Sequence, residues 1–196
     1  MPQSPTELVA AVARLLEDLG IQYLVGGSVV SSYFGRPRTT EDADFVINLR
    51  SDLVERLVSR LEPDFYLSRS AIREALRDHG SFNAVSLETG LKVDFFVLGA
   101  RPYDLEAFRR RSPRKMREEG GPVVMMKSAE DIVLRKLEWY RLGGEVSERQ
   151  WQDVLGVLAV SGAGMDAAYL DRWAATLGVA DLLARARDQV RPLAPE

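Results

Sequence analysis

The sequence YLVGGSVVSSYFGRPRTTEDADF, residues 23–45, joins a short apolar segment to a Gly-Gly-Ser turn and then to two aspartates separated by one residue. The apolar segment at residues 21–25 is typical of a buried strand. The residues after the turn predict a short helix that Gly35 and Pro37 end. Residues 43–49 predict a second strand. This stretch therefore predicts a strand, a turn, a helix and a strand, which is the beginning of an α+β domain.

Gly26, Gly27 and Ser28 form the turn between the first strand and the helix. The first amides of a helix have no partner within the helix, and the helix dipole favours anions there. Glycine lets a phosphate come close to the backbone, and Ser28 adds a hydroxyl donor. The three residues are therefore predicted to bind the phosphates of a nucleotide. They also suit an ordinary helix N-cap, and the two interpretations are compatible.

Asp42 and Asp44 lie two residues apart on the second predicted strand, so their carboxylates point from the same face. Close carboxylates repel each other, and a divalent cation with oxygen ligands removes this conflict. Asp94 is the only acid in the apolar segment KVDFF, residues 92–96, and pairing of the two strands would bring it beside the first two. Three carboxylates on adjacent strands are what a two-metal phosphoryl-transfer site needs, so we predict bound Mg²⁺ or Mn²⁺. The alternative is three solvated acids that never meet.

The rest of the sequence predicts an α/β half followed by a helical half. Helices are predicted over residues 5–19, 52–61 and 69–78, with a β-hairpin over 82–87 and 91–98. Further helices are predicted over residues 128–142, 147–160, 165–177 and 179–190. We therefore expect an α/β domain over residues 1–125 and a helical domain over residues 126–196.

The composition excludes several classes of site. The absence of cysteine rules out disulfides, thiolate nucleophiles and cysteine-ligated zinc. A single histidine, His79, rules out a multi-histidine metal site. The N-terminal sequence lacks the pattern of a signal peptide, and no apolar segment approaches the ~20 residues that cross a bilayer. We therefore expect a cytoplasmic protein with no membrane partner.

Residues 101–117 carry seven basic side chains, the only strong basic run in the chain. One interpretation is a surface that binds RNA or phosphate. The other is a solvated loop and helix end, which the net charge of -3 favours.

The region around the turn and the acids resembles the DNA polymerase β-like nucleotidyltransferase superfamily. Its signature is a Gly-Gly/Ser turn, an Asp-x-Asp/Glu pair and a later third acid. Gly27 and Ser28 match the turn, Asp42 and Asp44 match the pair, and Asp94 matches the third acid. The resemblance implies a nucleotidyltransferase fold, with a small mixed β-sheet, flanking helices and a C-terminal helical bundle. It also implies that the turn contacts the phosphates and the acids bind the metals.

Residues 128–158, SAEDIVLRKLEWYRLGGEVSERQWQDVLGVL, are similar to the helical segment of the AbiEii-type branch. This branch includes toxins of bacterial toxin–antitoxin systems. Its pattern has a lysine in one helix and an aspartate in the next, both facing the nucleotide site, and Lys136 and Asp153 occupy those positions. The resemblance implies that both bind the nucleotide and that Lys136 is catalytic. The alternatives are a solvent-facing Lys136 and a salt bridge from Asp153 to Arg149.

We therefore expect a metal-dependent nucleotidyltransferase that moves a nucleoside monophosphate from a nucleoside triphosphate, such as ATP, to an acceptor hydroxyl. The acceptor is left open between a tRNA, a protein side chain and a small molecule. If the chain is a toxin, a cognate antitoxin is a further expected partner. A catalytically silent nucleotide- or partner-binding module on the same fold is the alternative, and the intact trio of acids argues against it.

Overall fold

A computed structural model describes residues 4–40, 42–116 and 121–190 of the chain. The chain divides into two compact units. The first consists of the described residues within 1–29 and 39–127, and the second of those within 30–38 and 128–196. The second unit is therefore assembled from two separate stretches of sequence. The expected domain boundary after residue 125 stays a prediction.

The first 127 residues form five helices and seven strands among the described residues, together with one turn of 3₁₀ helix at Ser51–Leu53. In chain order they are α1 (Pro5–Asp18), β1 (Tyr23–Val25), α2 (Gly27–Phe34), β2 (Asp42–Ile47), α3 (Val54–Leu61), β3 (Phe65–Leu67), α4 (Arg69–Asp78), β4 (Ser81–Ser86), β5 (Lys92–Val97), α5 (Pro102–Arg109), β6 (Ser112–Lys115) and β7 (Val123–Met126). Helix α2 begins in the first unit, and its residues from 30 onward belong to the second.

The seven strands form one mixed sheet in the order β3-β4-β5-β2-β1-β7-β6. Strand β2 is parallel to β5, and β1 is parallel to β7. The remaining neighbours are antiparallel, including the predicted hairpin of β4 and β5. Strands β2 and β5 therefore lie side by side in the middle of the sheet, and the α+β prediction is confirmed.

The two central strands alternate between a fully buried and a half-buried face. The alternation follows from the sequence, because the first four residues of each strand alternate between polar and apolar side chains. Five apolar side chains on the buried face have 0% of their surface exposed: Ala43, Phe45, Ile47, Val93 and Phe95. The opposite face carries the aspartates.

Three short strands and one helix were absent from the sequence prediction. Strands β3 and β6 form the two edges of the sheet and are only three and four residues long. Edge strands of this length give no clear alternation, and β6 contains Pro113, which is tolerated at an edge because one side has no ladder partner. Helix α5 lies within the basic run and is only eight residues long, so its few apolar residues form no clear helical period.

The second unit contains α6 (Ala129–Leu142), α7 (Glu148–Ser161), a 3₁₀ turn at Gly162–Gly164, α8 (Ala167–Thr176) and α9 (Ala180–Val190). These four helices match the four predicted ones. Polar N-caps explain where three of them begin: Ser128, Ser147 and Asp166 each accept a hydrogen bond from an amide in the first turn. In the described part of the chain, no helix is long and apolar enough to cross a membrane.

Residues 34–38, the last part of α2 and the segment that follows it, pack directly against α7. A Cβ on Gly35 would lie 2.8 Å from the backbone nitrogen of Val157 and 2.9 Å from the carbonyl carbon of Gly156. The hydroxyl of Ser161 donates to the carbonyl of Phe34 at 2.6 Å. Backbones can approach this closely only because neither Gly35 nor Gly156 has a side chain.

Candidate functional site

The register of β2 and β5 brings the three predicted aspartates onto one face of the sheet. Asp44 lies directly opposite Asp94, and Asp42 lies opposite Lys92. All four side chains are on the half-buried face. We call Asp42, Asp44, Asp94 and Lys92 the acid face. The structure therefore brings together the three acids that the sequence singled out, while their role as metal ligands stays a prediction.

Lys92 is a member of the acid face that the sequence analysis overlooked. Its ammonium lies 2.9 Å from Asp94 Oδ2 and 3.6 Å from Asp42 Oδ1. The hydrogen bond with Asp94, together with the nearby carboxylate charges, raises the pKa of Lys92 against the opposing effect of burial. A signal for it exists in the sequence, because residues two apart on a strand share a face and Lys92 is two residues from Asp94.

The Gly-Gly-Ser turn is in direct contact with the acid face. The amide of Gly26 donates to the carbonyl of Asp44 at 2.9 Å. Gly27 has a φ of +58°, and a Cβ at this position would overlap the carboxylate of Asp44. Glycine is therefore needed at residue 27 both for its backbone conformation and for space. Ser28 follows in the first turn of α2 and is half-buried.

Lys127 is a second basic residue near the turn that the sequence analysis missed. Its side chain is buried, with 5% of its surface exposed, and its amide donates to the carbonyl of Val25 at 3.0 Å. Its Cε lies 3.9 Å from the position that a Cβ on Gly26 would take. This proximity results from the parallel pairing of β1 with β7, which joins residues about a hundred positions apart and leaves no local signal.

The donor chemistry of the acid face suits a hard divalent cation, because its three acids offer only carboxylate oxygens. As the side chains are placed, the described residues contain no group of three or more histidine, aspartate or glutamate side chains at metal-binding distance. The ammonium of Lys92 nevertheless shows that Asp42 and Asp94 reach one common cation. The residues present thus fit Mg²⁺ or Mn²⁺ in chemistry, with Lys92 as their present counter-ion.

The second unit contains a separate group of charged residues, Arg38, Lys136, Gln150 and Asp153, which we call the ionic cluster. The Lys136 ammonium lies 2.7 Å from Asp153 Oδ2 and donates to Gln150 Oε1 at 3.0 Å. Arg38 binds Asp153 through both oxygens, at 2.8 and 2.9 Å. The side chains of Lys136 and Asp153 are each 7% exposed.

The ionic cluster corrects the two structural alternatives that the sequence suggested. Lys136 is buried instead of solvent-facing, and the ionic partners of Asp153 are Arg38 and Lys136 instead of Arg149. Burial by itself would raise the pKa of Asp153, but the hydrogen bonds from Arg38 and the charge and hydrogen bond of Lys136 outweigh burial and lower the pKa. The proposed contacts of Lys136 and Asp153 with a nucleotide stay predictions.

The basic run at residues 101–117 is partly neutralised within the protein. Arg101 and Arg109 form ion pairs with carboxylates three residues away, at 2.7 and 2.8 Å. The Arg111 guanidinium stacks on the ring of Phe108, 4.2 Å from its centroid, and burial lowers the pKa of Arg111. Arg117 lies outside the described residues. These contacts favour the structural interpretation for Arg101, Arg109 and Arg111.

Comparison with known proteins identifies a family over most of the chain. The model of the family described as "Nucleotidyl transferase AbiEii toxin, Type IV TA system" matches residues 11–175. The matched range includes the turn, all members of the acid face, and helices α6 and α7. A search of curated proteins gives no match.

Several solved structures share the fold. An antigenic nucleotidyltransferase-like protein from Paracoccidioides brasiliensis is 18% identical, with a TM-score of 0.57 over 94% of this chain and 92% of that one. ANT(2")-Ia in complex with adenylyl-2"-tobramycin is 16% identical, with a TM-score of 0.58 over 88% and 96%. Lincomycin-bound LnuA, a lincosamide antibiotic adenylyltransferase, is 13% identical, with a TM-score of 0.51 over 81% and 99%. These similarities confirm the nucleotidyltransferase fold.

Proposed function

We propose a metal-dependent reaction for this chain, which belongs to the family of AbiEii nucleotidyl transferase toxins and is therefore a nucleotidyltransferase. In the proposed reaction a nucleoside monophosphate passes from a nucleoside triphosphate to an acceptor hydroxyl. The acceptor oxygen forms a bond to the α-phosphorus, and the bond from that phosphorus to the leaving pyrophosphate breaks. The hydroxyl proton passes to a carboxylate of the acid face.

The observation that carries this proposal is the contact between the turn and the acids. The backbone of Gly26 is hydrogen-bonded to Asp44, and Gly27 leaves no room for any side chain beside the Asp44 carboxylate. For nucleotidyl transfer, a phosphate-binding turn and a group of metal-binding acids must bind the same triphosphate. Their direct contact supports one shared nucleotide site in the first unit.

The turn and Lys127 supply the proposed contacts with the phosphates. The amide of Gly26 already donates to Asp44, so we propose the amides of Gly27 and Ser28, with the Ser28 hydroxyl, as the phosphate-binding donors. Lys127 has its side chain along the same turn, and its positive charge would offset part of the triphosphate charge.

The acids supply the proposed metal ligands. Asp42, Asp44 and Asp94 would hold Mg²⁺ or Mn²⁺, which when bound neutralises charge on the triphosphate and on the departing pyrophosphate. The carboxylates would hold the cation beside the turn, because β2 lies between β1 and β5 in the sheet. A rigid central strand is a suitable support for such ligands.

The proposal is tested by a labelling assay. The protein is incubated with each α-labelled nucleoside triphosphate, Mg²⁺ and one of three acceptor sources: total tRNA, lysate protein or tobramycin. Tobramycin is included because ANT(2")-Ia, a protein of the same fold, was solved with adenylyl-2"-tobramycin. We expect label to be transferred to one acceptor class and chelation of the metal to stop the transfer.

An asparagine substitution provides the specific test of the acid face. Asp94→Asn is expected to lower the transfer rate about 10²- to 10³-fold, the range for loss of one preorganised electrostatic group. Asp52→Asn is the matched control, since Asp52 belongs to the same unit and its side chain is 57% exposed. Equal rates for the two variants, or no transfer from any triphosphate to any acceptor, would contradict the proposal.

We also propose that the transfer inhibits growth of the host cell, as the description of the family as toxins suggests. Induced expression of the wild type should slow bacterial growth, whereas equal expression of Asp94→Asn should not. Growth inhibition by both forms would separate toxicity from nucleotidyl transfer. Co-expression with the neighbouring gene would then test for a cognate antitoxin.

A further inference from the structure

Lys92 is the one lysine that bridges two of the proposed metal ligands in the described residues. Its ammonium contacts Asp94 at 2.9 Å and Asp42 at 3.6 Å. We infer that Lys92 is a built-in counter-ion that the divalent cation must displace, and that this lysine therefore sets the affinity of the acid face for metal. The inference rests on the proposed function, because it assumes that these carboxylates bind a cation.

The position of Lys92 in the sheet explains how it reaches both carboxylates. It is the first residue of β5 and lies opposite Asp42 on the parallel strand β2. It also shares a face with Asp94, two residues further along its own strand. A lysine ammonium is a compact charge with three donors, so one side chain can satisfy two carboxylates on adjacent strands.

Metal and ammonium compete for the same carboxylates. Mg²⁺ requires close oxygen ligands in a strict octahedral arrangement, and the ammonium is already within hydrogen-bonding distance of Asp94. The two cations would also repel each other strongly at such a separation. Tight metal binding and the Lys92 ion pairs are therefore mutually exclusive.

Lys92 is also able to leave. Its side chain is 37% exposed, and its four-carbon stem is flexible. Displacement therefore requires a change of side-chain rotamer and no movement of the central strand. The expected consequence is weak metal binding by the protein alone. Phosphate oxygens would then add ligands when metal and nucleotide arrive together.

The test measures binding of Mn²⁺ without nucleotide, by the electron paramagnetic resonance signal of the free ion. Lys92→Gln removes the competing charge, and we expect its Mn²⁺ dissociation constant to fall at least about tenfold, because a full charge close to the site is lost. Lys92→Met, which keeps the aliphatic stem, should behave in the same way. Lys92→Arg keeps a cation and should stay within about threefold of the wild type.

Lys115→Gln is the matched control. It makes the same change in net charge, and Lys115 is an exposed residue of the edge strand β6 in the same unit. Its Mn²⁺ affinity should equal that of the wild type. A melting curve of each variant without metal verifies that it is folded.

The outcomes separate this inference from the proposed function. If the wild type binds Mn²⁺ and neither Lys92→Gln nor Lys92→Met binds it more tightly, the inference that the metal displaces Lys92 is wrong. The proposed metal site is not contradicted by that result. An equal gain in Lys115→Gln would also overturn the inference, because net charge alone would explain it. If wild type and variants all fail to bind Mn²⁺, the inference and the proposed metal site both fail.

Discussion

The acid face and the ionic cluster use the same chemical groups in opposite proportions. The acid face contains three carboxylates and one lysine, whereas the ionic cluster contains two cations and one carboxylate. The two also differ in access to solvent. The side chains of Asp42 and Asp94 are 48% and 23% exposed, whereas those of Lys136 and Asp153 are each 7% exposed.

This difference indicates different roles. An accessible group with more carboxylates than cations attracts a further cation, and its members can exchange partners with little cost. A buried group whose charges are held by short hydrogen bonds resists change, because removal of one member leaves a charge without its partner in a low-dielectric surrounding. We therefore expect substitutions in the acid face to affect binding and transfer, and substitutions in the ionic cluster to affect stability.

Lys136→Ala should give the largest loss of stability. Breaking a buried ion pair costs about 3–5 kcal/mol, and we expect roughly 3 kcal/mol here because Arg38 still binds Asp153. The free energy of unfolding is measured by urea denaturation. Arg135→Ala is the control on the same helix. The side chain of Arg135 is 25% exposed, against 7% for Lys136, so its loss should cost less. Equal, small losses for both variants would contradict the expectation that the ionic cluster stabilises the fold.

The same pair of variants tests the catalytic prediction for Lys136. Transfer is measured at a temperature at which both variants are folded. If Lys136 contacts the triphosphate, its loss should lower the rate about 10²-fold or more, while Arg135→Ala stays near the wild type. A near-wild-type rate for Lys136→Ala would assign this lysine to stability alone.

Gly27→Ala should have the next largest effect. Residue 27 has a left-handed φ of +58°, and a Cβ there would overlap the Asp44 carboxylate. Backbone strain of this kind costs about 1–3 kcal/mol, so the melting temperature without ligands should fall. Gly26→Ala is the neighbouring control, since its Cβ would meet only Lys127 Cε at an ordinary 3.9 Å. Equal melting temperatures for Gly27→Ala and Gly26→Ala would show that residue 27 has room for a side chain beside Asp44.

The smallest expected effect is a pH dependence of the ionic cluster. The pKa of Asp153 is lowered in the folded protein, so its carboxylate stabilises the fold above the ordinary aspartate pKa of about 3.9. That stabilisation disappears as the pH falls through the lowered pKa. The difference in unfolding free energy between wild type and Asp153→Asn should therefore be largest near pH 7 and shrink below about pH 4. A difference that grows with acidity would show that Asp153 is not held by its cations.

Elements with a long local pattern could be predicted from the sequence. The helices α1, α6, α7 and α8 begin at polar N-caps that can be recognised in the sequence. Helix α9 and the hairpin of β4 and β5 were predicted from their patterns of apolar residues. The same-face arrangement of Asp42 and Asp44 also follows from their spacing alone. Placing Asp94 beside them required the further assumption that β2 and β5 are adjacent, and the sheet order confirms this.

The partners of the buried charges could not be predicted in this way. Arg38 and Asp153 are 115 positions apart, and Lys127 reaches the turn only through the pairing of β1 with β7. Such contacts depend on which elements become neighbours in space, and no local period encodes that. Lys92 is different, because its alternation with Asp94 was visible and only its role was missed.

The discontinuous second unit also affects how the protein folds during synthesis. Residues 30–38 belong to that unit, yet the ribosome makes them long before α7, which supplies the partners Gly156 and Asp153. At about 5–20 residues per second, the 115 positions between Arg38 and Asp153 correspond to roughly 6–23 s of translation. During that delay this early segment lacks its native partners in α7. Emergence of α7 from the ribosome is therefore the event that allows this early segment to form its native contacts.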